Sequence, residues 1–252
     1  MQTNMTGSVN IRENLRNIQV RIASAAARAH RDPANVQLIA VTKTGTIEQI
    51  CDLIRAGQRL FGENRIQQLQ TRTTDIKAWL SCGGEPGLPD PDAIEWHMIG
   101  HLQTNKASAA VTHSHLIHSV DSLRLVELLG TIGVRRGVTI PLLLEVNTTE
   151  DPDKYGLPPM AAFHLAEEVA GVPGLQFRGL MTMARYSENP EDARPAFVRL
   201  RELFEDIAAR KLGGPHFKEL SMGMSGDFTV AVEEGATMVR VGSALFAPTM
   251  GG

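Results

Sequence analysis

Short apolar runs alternate with segments of helical periodicity eight times along this chain, and that alternation limits its fold more than any other feature. The runs are Val36–Lys43, Arg59–Glu63, Glu95–Gly100, Leu116–Asp121, Pro141–Asn147, Phe177–Ala184, Glu219–Ser225 and Met238–Phe246. Between them lie helical stretches, the clearest being Ile47–Ala56, Arg65–Leu80, Leu123–Val134, Met160–Ala170 and Pro195–Lys211. Several runs are almost continuously apolar, as strands are when helices cover both faces of a parallel sheet. Eight such βα units in 252 residues match the size of an α/β single (β/α)8 TIM barrel. A doubly wound open sheet needs fewer strands, and no G-x-G-x-x-G follows the first run.

The flanks suggest how the barrel closes. An extra N-terminal helix is expected over Val9–Arg31, ended by Asp32-Pro33 because proline has no amide hydrogen to continue it. After the eighth run only APTMGG remains, too short for a last helix, so the opening helix is expected to pack over that gap. The Gly/Pro-rich stretch Ser81–Asp92 reads as a loop on the bottom face, and residues 1–252 read as one domain.

Composition removes several functions. A net charge of -3 provides no basic field for nucleic acid. No apolar run approaches the roughly 20 residues of a membrane span. The polar start MQTNMTGSVN has no signal-peptide core, and Cys51 and Cys82 resemble no disulfide framework. A soluble cytoplasmic protein is expected.

Active groups of a (β/α)8 barrel sit at the C-terminal ends of its strands. There the sequence places Lys43, the Glu63-Asn64-Arg65 turn, His97 through His101, Asn147, Met181–Arg185, Ser221–Asp227 and Arg240–Ser243. A lysine drawn into an apolar barrel loses hydration, and its neutral amine attacks aldehydes to form a Schiff base. The bland alternative is a snorkelling strand-end lysine. SMGMSGD (Ser221–Asp227) and the Gly242-Ser243 pair follow strands seven and eight, where this fold commonly holds phosphate, although the glycines would also serve turns and packing. Lysine plus phosphate means a phosphorylated sugar aldehyde or pyridoxal 5′-phosphate. Arg240 could face a pyridine nitrogen, or pair with Glu233 or Glu234. His113, His115 and His118 read as an exposed loop-to-strand cluster without metal, and Met181, Met183, Met222 and Met224 as core packing.

The segments AVTKT around Lys43, FGENRIQQ (Phe61–Gln68), EWHMIGHLQTNK (Glu95–Lys106), GLMTMA (Gly179–Ala184), SMGMSGDFTVAV (Ser221–Val232) and MVRVGSALF (Met238–Phe246) strongly resemble the pyridoxal phosphate homeostasis protein family, in matching order from Ile11 to Phe246. The resemblance implies one barrel similar to the N-terminal domain of bacterial alanine racemase. It implies pyridoxal 5′-phosphate held as an aldimine on Lys43 and phosphate-binding loops at Ser221, Gly242 and Ser243, with Ser225 nearby. It also implies Arg240 facing the pyridine nitrogen and Asn64 beside the cofactor. The family buffers and delivers the cofactor, so PLP-dependent apo-enzymes are the implied partners and a monomer the implied state. This chain departs from the family at Arg185, where proline is common, at Tyr155, where a small residue is usual, and at Ser243, where threonine is common.

The same resemblance raises a PLP-dependent amino-acid racemase with weak activity. Racemases of this type take a tyrosine from a separate β domain, and Tyr155 and Tyr186 match no such motif. A Schiff-base aldolase needs acid/base partners around the lysine, and Glu63 alone stands near. A non-catalytic cofactor-binding protein, with no catalytic and no metal residue, is therefore the expectation.

Overall fold

A computed structural model describes residues 9–82, 86–149 and 151–248. Eight parallel strands close into a barrel in chain order, the last pairing with the first. They are β1 (Gln37–Val41), β2 (Leu60–Glu63), β3 (Glu95–Met98), β4 (Leu116–Val120), β5 (Ile140–Glu145), β6 (Leu175–Met181), β7 (Glu219–Ser221) and β8 (Met238–Val241). The surrounding helices are α1 (Ile11–Arg28), α2 (Ile47–Arg55), α3 (Ile66–Ser81), α4 (Ala107–His113), α5 (Leu123–Arg136), α6 (Pro159–Gly171), α7 (Arg194–Ala209), α8 (Phe228–Glu233) and α9 (Ser243–Phe246). The (β/α)8 barrel expected from the alternation is the fold. Among the described residues, no helix is long and apolar enough to cross a membrane.

Successive strand residues point to opposite faces of the sheet, and here the two faces carry different chemistry. Outward residues such as Leu38, Ala40, Phe61, Trp96 and Leu220 join the helices in the large core. Inward residues form a small apolar plug of Ile39, Leu116, Leu143, Met181 and Met238. In phase with that plug, buried polar groups also turn inward: His97, His118, Glu145, Ser221 and Arg240.

Three boundaries differ from expectation. First, α1 ends before Asp32-Pro33. His30 adopts a left-handed conformation (φ 55), and the Arg31 N–H reaches back to the Ala26 carbonyl at 2.9 Å, so a backbone motif stops the helix. Asp32 instead caps the short turn that follows. Second, β8 stops at Val241, and Ser243–Phe246 winds into α9. Third, β1 stops at Val41, which leaves Lys43 in the turn beyond it. Residues 83–85 of the Gly/Pro-rich stretch lie outside the described residues.

Closure over β8 follows the expected route. α1 packs against α8 and α9. Asn14 of α1 donates to the Leu245 and Ala247 carbonyls at 3.0 and 2.9 Å, satisfying the end of α9.

Candidate cofactor site

The turn after β1 carries Lys43 at the wall of a cavity of about 550 Å³ at the C-terminal mouth. That turn is braced on several sides. Gly45 donates back to the Thr42 carbonyl at 2.8 Å, and a side chain at Gly45 would strike the Phe246 ring. Thr46 and Gln49 then form a capping box that starts α2. From α3, Arg72 donates to the Thr42 carbonyl, the Gly45 carbonyl and the Glu63 carboxylate. Thr42 also donates to Glu63, whose carboxyl is fully buried. Burial raises the Glu63 pKa, while Thr42 and Arg72 act to lower it.

Lys43 is exposed, so burial is not what equips it. Among the described residues its amine makes no hydrogen bond or ion pair, and it stands free at the cavity wall. Beside it Asn64 lines the same wall with its Oδ1 buried and unpartnered. An orphaned buried acceptor is costly and marks a place where a ligand donor would be welcome.

The adjoining wall is built from the ends of β7 and β8, since β8 pairs with β1. Gly223 takes φ 93, and a side chain there would collide with Ala231 and Phe228. The turn it permits brings Ser225 to Gly242, whose N–H donates to the Ser225 Oγ at 3.1 Å. Asp227 accepts the Met224 N–H at 2.5 Å, and burial raises its pKa. Gly242 lies so close to β1 that a Cβ would sit 3.0 Å from the Val41 carbonyl oxygen. Ser243 lines the cavity next to it.

Arg240 forms the floor. It is 4% exposed, with Nη1 donating to the Ser221 hydroxyl at 2.5 Å and Nη2 to the Thr182 carbonyl at 2.8 Å. Burial lowers its pKa to about 10, with Glu145 and Asp227 opposing, so it stays a cation at neutral pH. The ion pair with Glu233 or Glu234 is not formed: Arg28, Arg194 and Arg201 take those carboxylates. Glu145 lies buried nearby, its pKa raised to about 7 chiefly by burial and further by Asp121.

The cavity therefore gathers Lys43, Asn64, Ser225, Arg240, Gly242 and Ser243. It does not gather Ser221, which lies fully buried beneath Arg240 and bonds to His118 at 2.9 Å. His118 is likewise in the barrel interior and not in an exposed cluster. Its phase with Leu116 along β4 was the available signal, since residues two apart share a face. His113 bonds to Thr73 at 3.0 Å, and the His115 ring accepts the Trp96 N–H at 3.0 Å, so the three histidines serve three places. Among the described residues, no three His, Cys, Asp or Glu side chains are grouped to hold a metal.

At the mouth, Tyr155 stacks on His101 with ring centroids 3.9 Å apart and planes 12° from parallel. His101 Nδ1 lies 3.1 Å from Asp121. Arg185 pairs with Asp151 at 3.2 Å, and Tyr186 is 90% exposed.

A closed barrel with a free lysine at its C-terminal mouth and an arginine on its floor defines the class: the chain has the fold of the alanine racemase N-terminal domain, whose family model matches residues 11–249. Proteins named pyridoxal phosphate homeostasis protein match nearly end to end. That of Vibrio cholerae is 37% identical over 94% of this chain and 95% of its own. That of Homo sapiens is 35% identical over 92% and 84%. The chain belongs to the pyridoxal phosphate homeostasis protein family. PipY of Synechococcus elongatus, solved with PLP bound, superposes with a TM-score of 0.78 at 34% identity, covering 94% of this chain and all of that one. D-threonine aldolase from Filomicrobium marinum, at TM-score 0.70 and 17% identity, shares the fold over 93% of this chain and 59% of its own.

Proposed function

We propose that this chain is a single-domain, monomeric cytoplasmic protein that binds pyridoxal 5′-phosphate on the Lys43 amine and serves cofactor homeostasis by buffering and delivery. The relative PipY is solved with PLP bound, and the curated relatives are named for pyridoxal phosphate homeostasis. One arrangement carries the reading: the free amine of Lys43, the Ser225–Gly242–Ser243 corner and the buried Arg240 line one cavity, with the β8 end that carries Gly242 beside the β1 end that carries Lys43. The orphaned Asn64 Oδ1 offers an acceptor to a phenolic hydroxyl of such a ring.

Each residue has a role in that reading. Lys43 is the covalent anchor. Ser225 and Ser243 receive the phosphate, and Gly242 keeps the wall low enough for it to approach. Arg240, a cation with donors only, offers a hydrogen bond to the ring nitrogen and opposes its protonation. When bound, PLP supplies an electrophilic carbon to the amine and an electron-accepting ring, and an unprotonated ring is a weaker electron sink. That weakness suits carriage more than turnover, and the cofactor's recipients would be PLP-dependent apo-enzymes.

Absorbance and mass spectrometry test this. The protein loaded with PLP should absorb in the visible, and borohydride should fix the cofactor's mass on Lys43. Lys43→Ala retaining both signals would sink the reading.

A second reading rests on the Tyr155–His101–Asp121 group at the mouth, which places acid/base side chains beside the cavity. It predicts weak racemase-like turnover that Tyr155→Phe abolishes. Turnover no greater than that of free PLP would leave the carrier.

A further inference from the structure

We infer that His118 is a positioning residue for Arg240, acting through the Ser221 hydroxyl, and that this buried chain sets how Arg240 meets the ligand above it. The inference rests on the reading of Arg240 as the partner of a ring nitrogen.

The observation is a continuous line of polar contacts through the barrel interior. Arg240 Nη1 meets Ser221 Oγ at 2.5 Å, Ser221 Oγ meets His118 Nδ1 at 2.9 Å, and His118 Nε2 meets His97 Nδ1 at 3.0 Å. Beyond it, His97 Nε2 faces the Glu95 carboxylate at 3.9 Å, at the lower rim of the barrel. Ser221 and His118 are fully buried and His97 is 2% exposed, so water does not compete for these groups.

Donor chemistry gives the chain a direction. A guanidinium only donates, so Ser221 accepts from Arg240 and has one proton left to give. That proton goes to His118 Nδ1, which must be bare, leaving Nε2–H to donate to His97 Nδ1. His97 then turns its own Nε2–H toward Glu95. The reverse arrangement fails at both ends: the Ser221 proton would find no acceptor along the chain, and a bare His97 nitrogen would face a carboxylate. Burial lowers the pKa of both imidazoles, and His97 and Arg240 lower that of His118 further, so neutral rings are the stable ones. The polarity of every link is therefore defined by the cation at one end and the anion at the other.

The consequence lies at Arg240. Ser221 and the Thr182 carbonyl take donors from both terminal nitrogens of the guanidinium. With the Ser221 lone pair held toward Arg240 by His118, the plane of the guanidinium is defined before any ligand arrives. Without His118, the hydroxyl proton has no acceptor in the chain and the oxygen is free to reorient.

Three variants and one spectrum test this. His118→Leu removes the acceptor, His118→Asn restores a polar atom near Nδ1, and Ser221→Ala cuts the link with little change of volume. His118→Leu and Ser221→Ala should each weaken PLP binding about tenfold and shift the bound absorption band, and His118→Asn should recover most of both. Because His118 acts through Ser221, the double variant His118→Leu/Ser221→Ala should bind no worse than either single one. Additive losses, or a wild-type band and affinity in the well-folded Ser221→Ala protein, would overturn the inference.

In the cofactor-free wild type, imidazole ¹⁵N shifts should report His118 neutral and protonated at Nε2. The opposite tautomer overturns the inference whether or not His118→Leu folds. Borohydride labelling of wild-type Lys43 in the same preparations separates a failed relay from a failed cofactor assignment.

Discussion

The Arg72 guanidinium reaches from α3 to the Gly45 carbonyl at 3.0 Å, on the far side of the turn that carries Lys43. The same guanidinium holds the Thr42 carbonyl, so both flanks of Lys43 are tied to one rigid side chain. An exposed lysine loses much rotamer freedom on capturing a ligand, and a backbone already fixed leaves only the side chain to order. The brace depends on Glu63, buried opposite Arg72 with its second oxygen unpartnered.

Arg72→Met should therefore do more than loosen a turn. It strands Glu63 in the core, and breaking a buried pair on one side costs about 3–5 kcal/mol. Urea unfolding at pH 7 should show that loss. Arg72→Met/Glu63→Gln should recover part of it, because the stranded charge is gone, while PLP capture stays impaired because the turn remains unbraced. Equal instability of the single and double variants would refute the charge argument.

The Glu145 carboxyl gives stability a pH dependence of definite sign. Its folded pKa of about 7 lies above the ordinary 4.5, so between those values the folded state keeps a proton that the unfolded chain releases. Stability is fullest below about pH 4.5 and falls as pH rises through 7, by about 3 kcal/mol from this group alone. Glu145→Gln should change cofactor-free stability much less at pH 5 than at pH 8.5, where it should raise it. The wild-type-minus-variant difference between the two pH values is the readout, which cancels the slope shared with other carboxylates.

At the proposed phosphate corner, Ser225 accepts the Gly242 N–H while lining the cavity. Ser225→Ala should weaken PLP binding by about 10–100-fold, since it removes a hydroxyl for the phosphate and the partner that holds Gly242. Gly242→Ala needs no left-handed φ (Gly242 has φ -124), but its methyl would press on the Val41 carbonyl at 3.0 Å. It should cost several-fold in affinity with a near-wild-type melting temperature. Equilibrium titration monitored by absorbance measures both.

Tyr155 covers the mouth mainly by stacking on His101. An exposed aromatic contact of this kind contributes about 0.5–1.5 kcal/mol. Tyr155→Ala should leave folding stability within about that range and release PLP several-fold faster to an apo-enzyme acceptor. Stopped-flow transfer kinetics would show it, and an unchanged release rate would remove Tyr155 from any gating role.

Much of this molecule is legible in its residues. The eightfold alternation declares the barrel because both faces of each strand must be covered. Lys43, Arg240 and the Gly-Ser pairs stand at strand ends, where this fold exposes polar groups, so their convergence could be anticipated. Ser221 shows the limit. It has the composition of a phosphate contact and sits in a strand-end motif, yet the three-residue strand β7 turns it inward beneath Arg240. His118 shows the same limit from the other side, as a loop-like histidine that proves to be interior.

Strand order, the lysine at the mouth and the polar strand ends follow from local pattern, because periodicity and turn chemistry act over a few residues. The partners of those groups do not. Glu233 and Glu234 stand near Arg240 in sequence, but three other arginines claim them, and the contacts of Arg240 come from β7 and from Thr182 after β6. His97 and His118 meet only because β3 and β4 pair in a register that places them on one inward face. Such pairings are decided when the barrel closes and buried polar groups must find donors and acceptors among whatever the closure brings within reach.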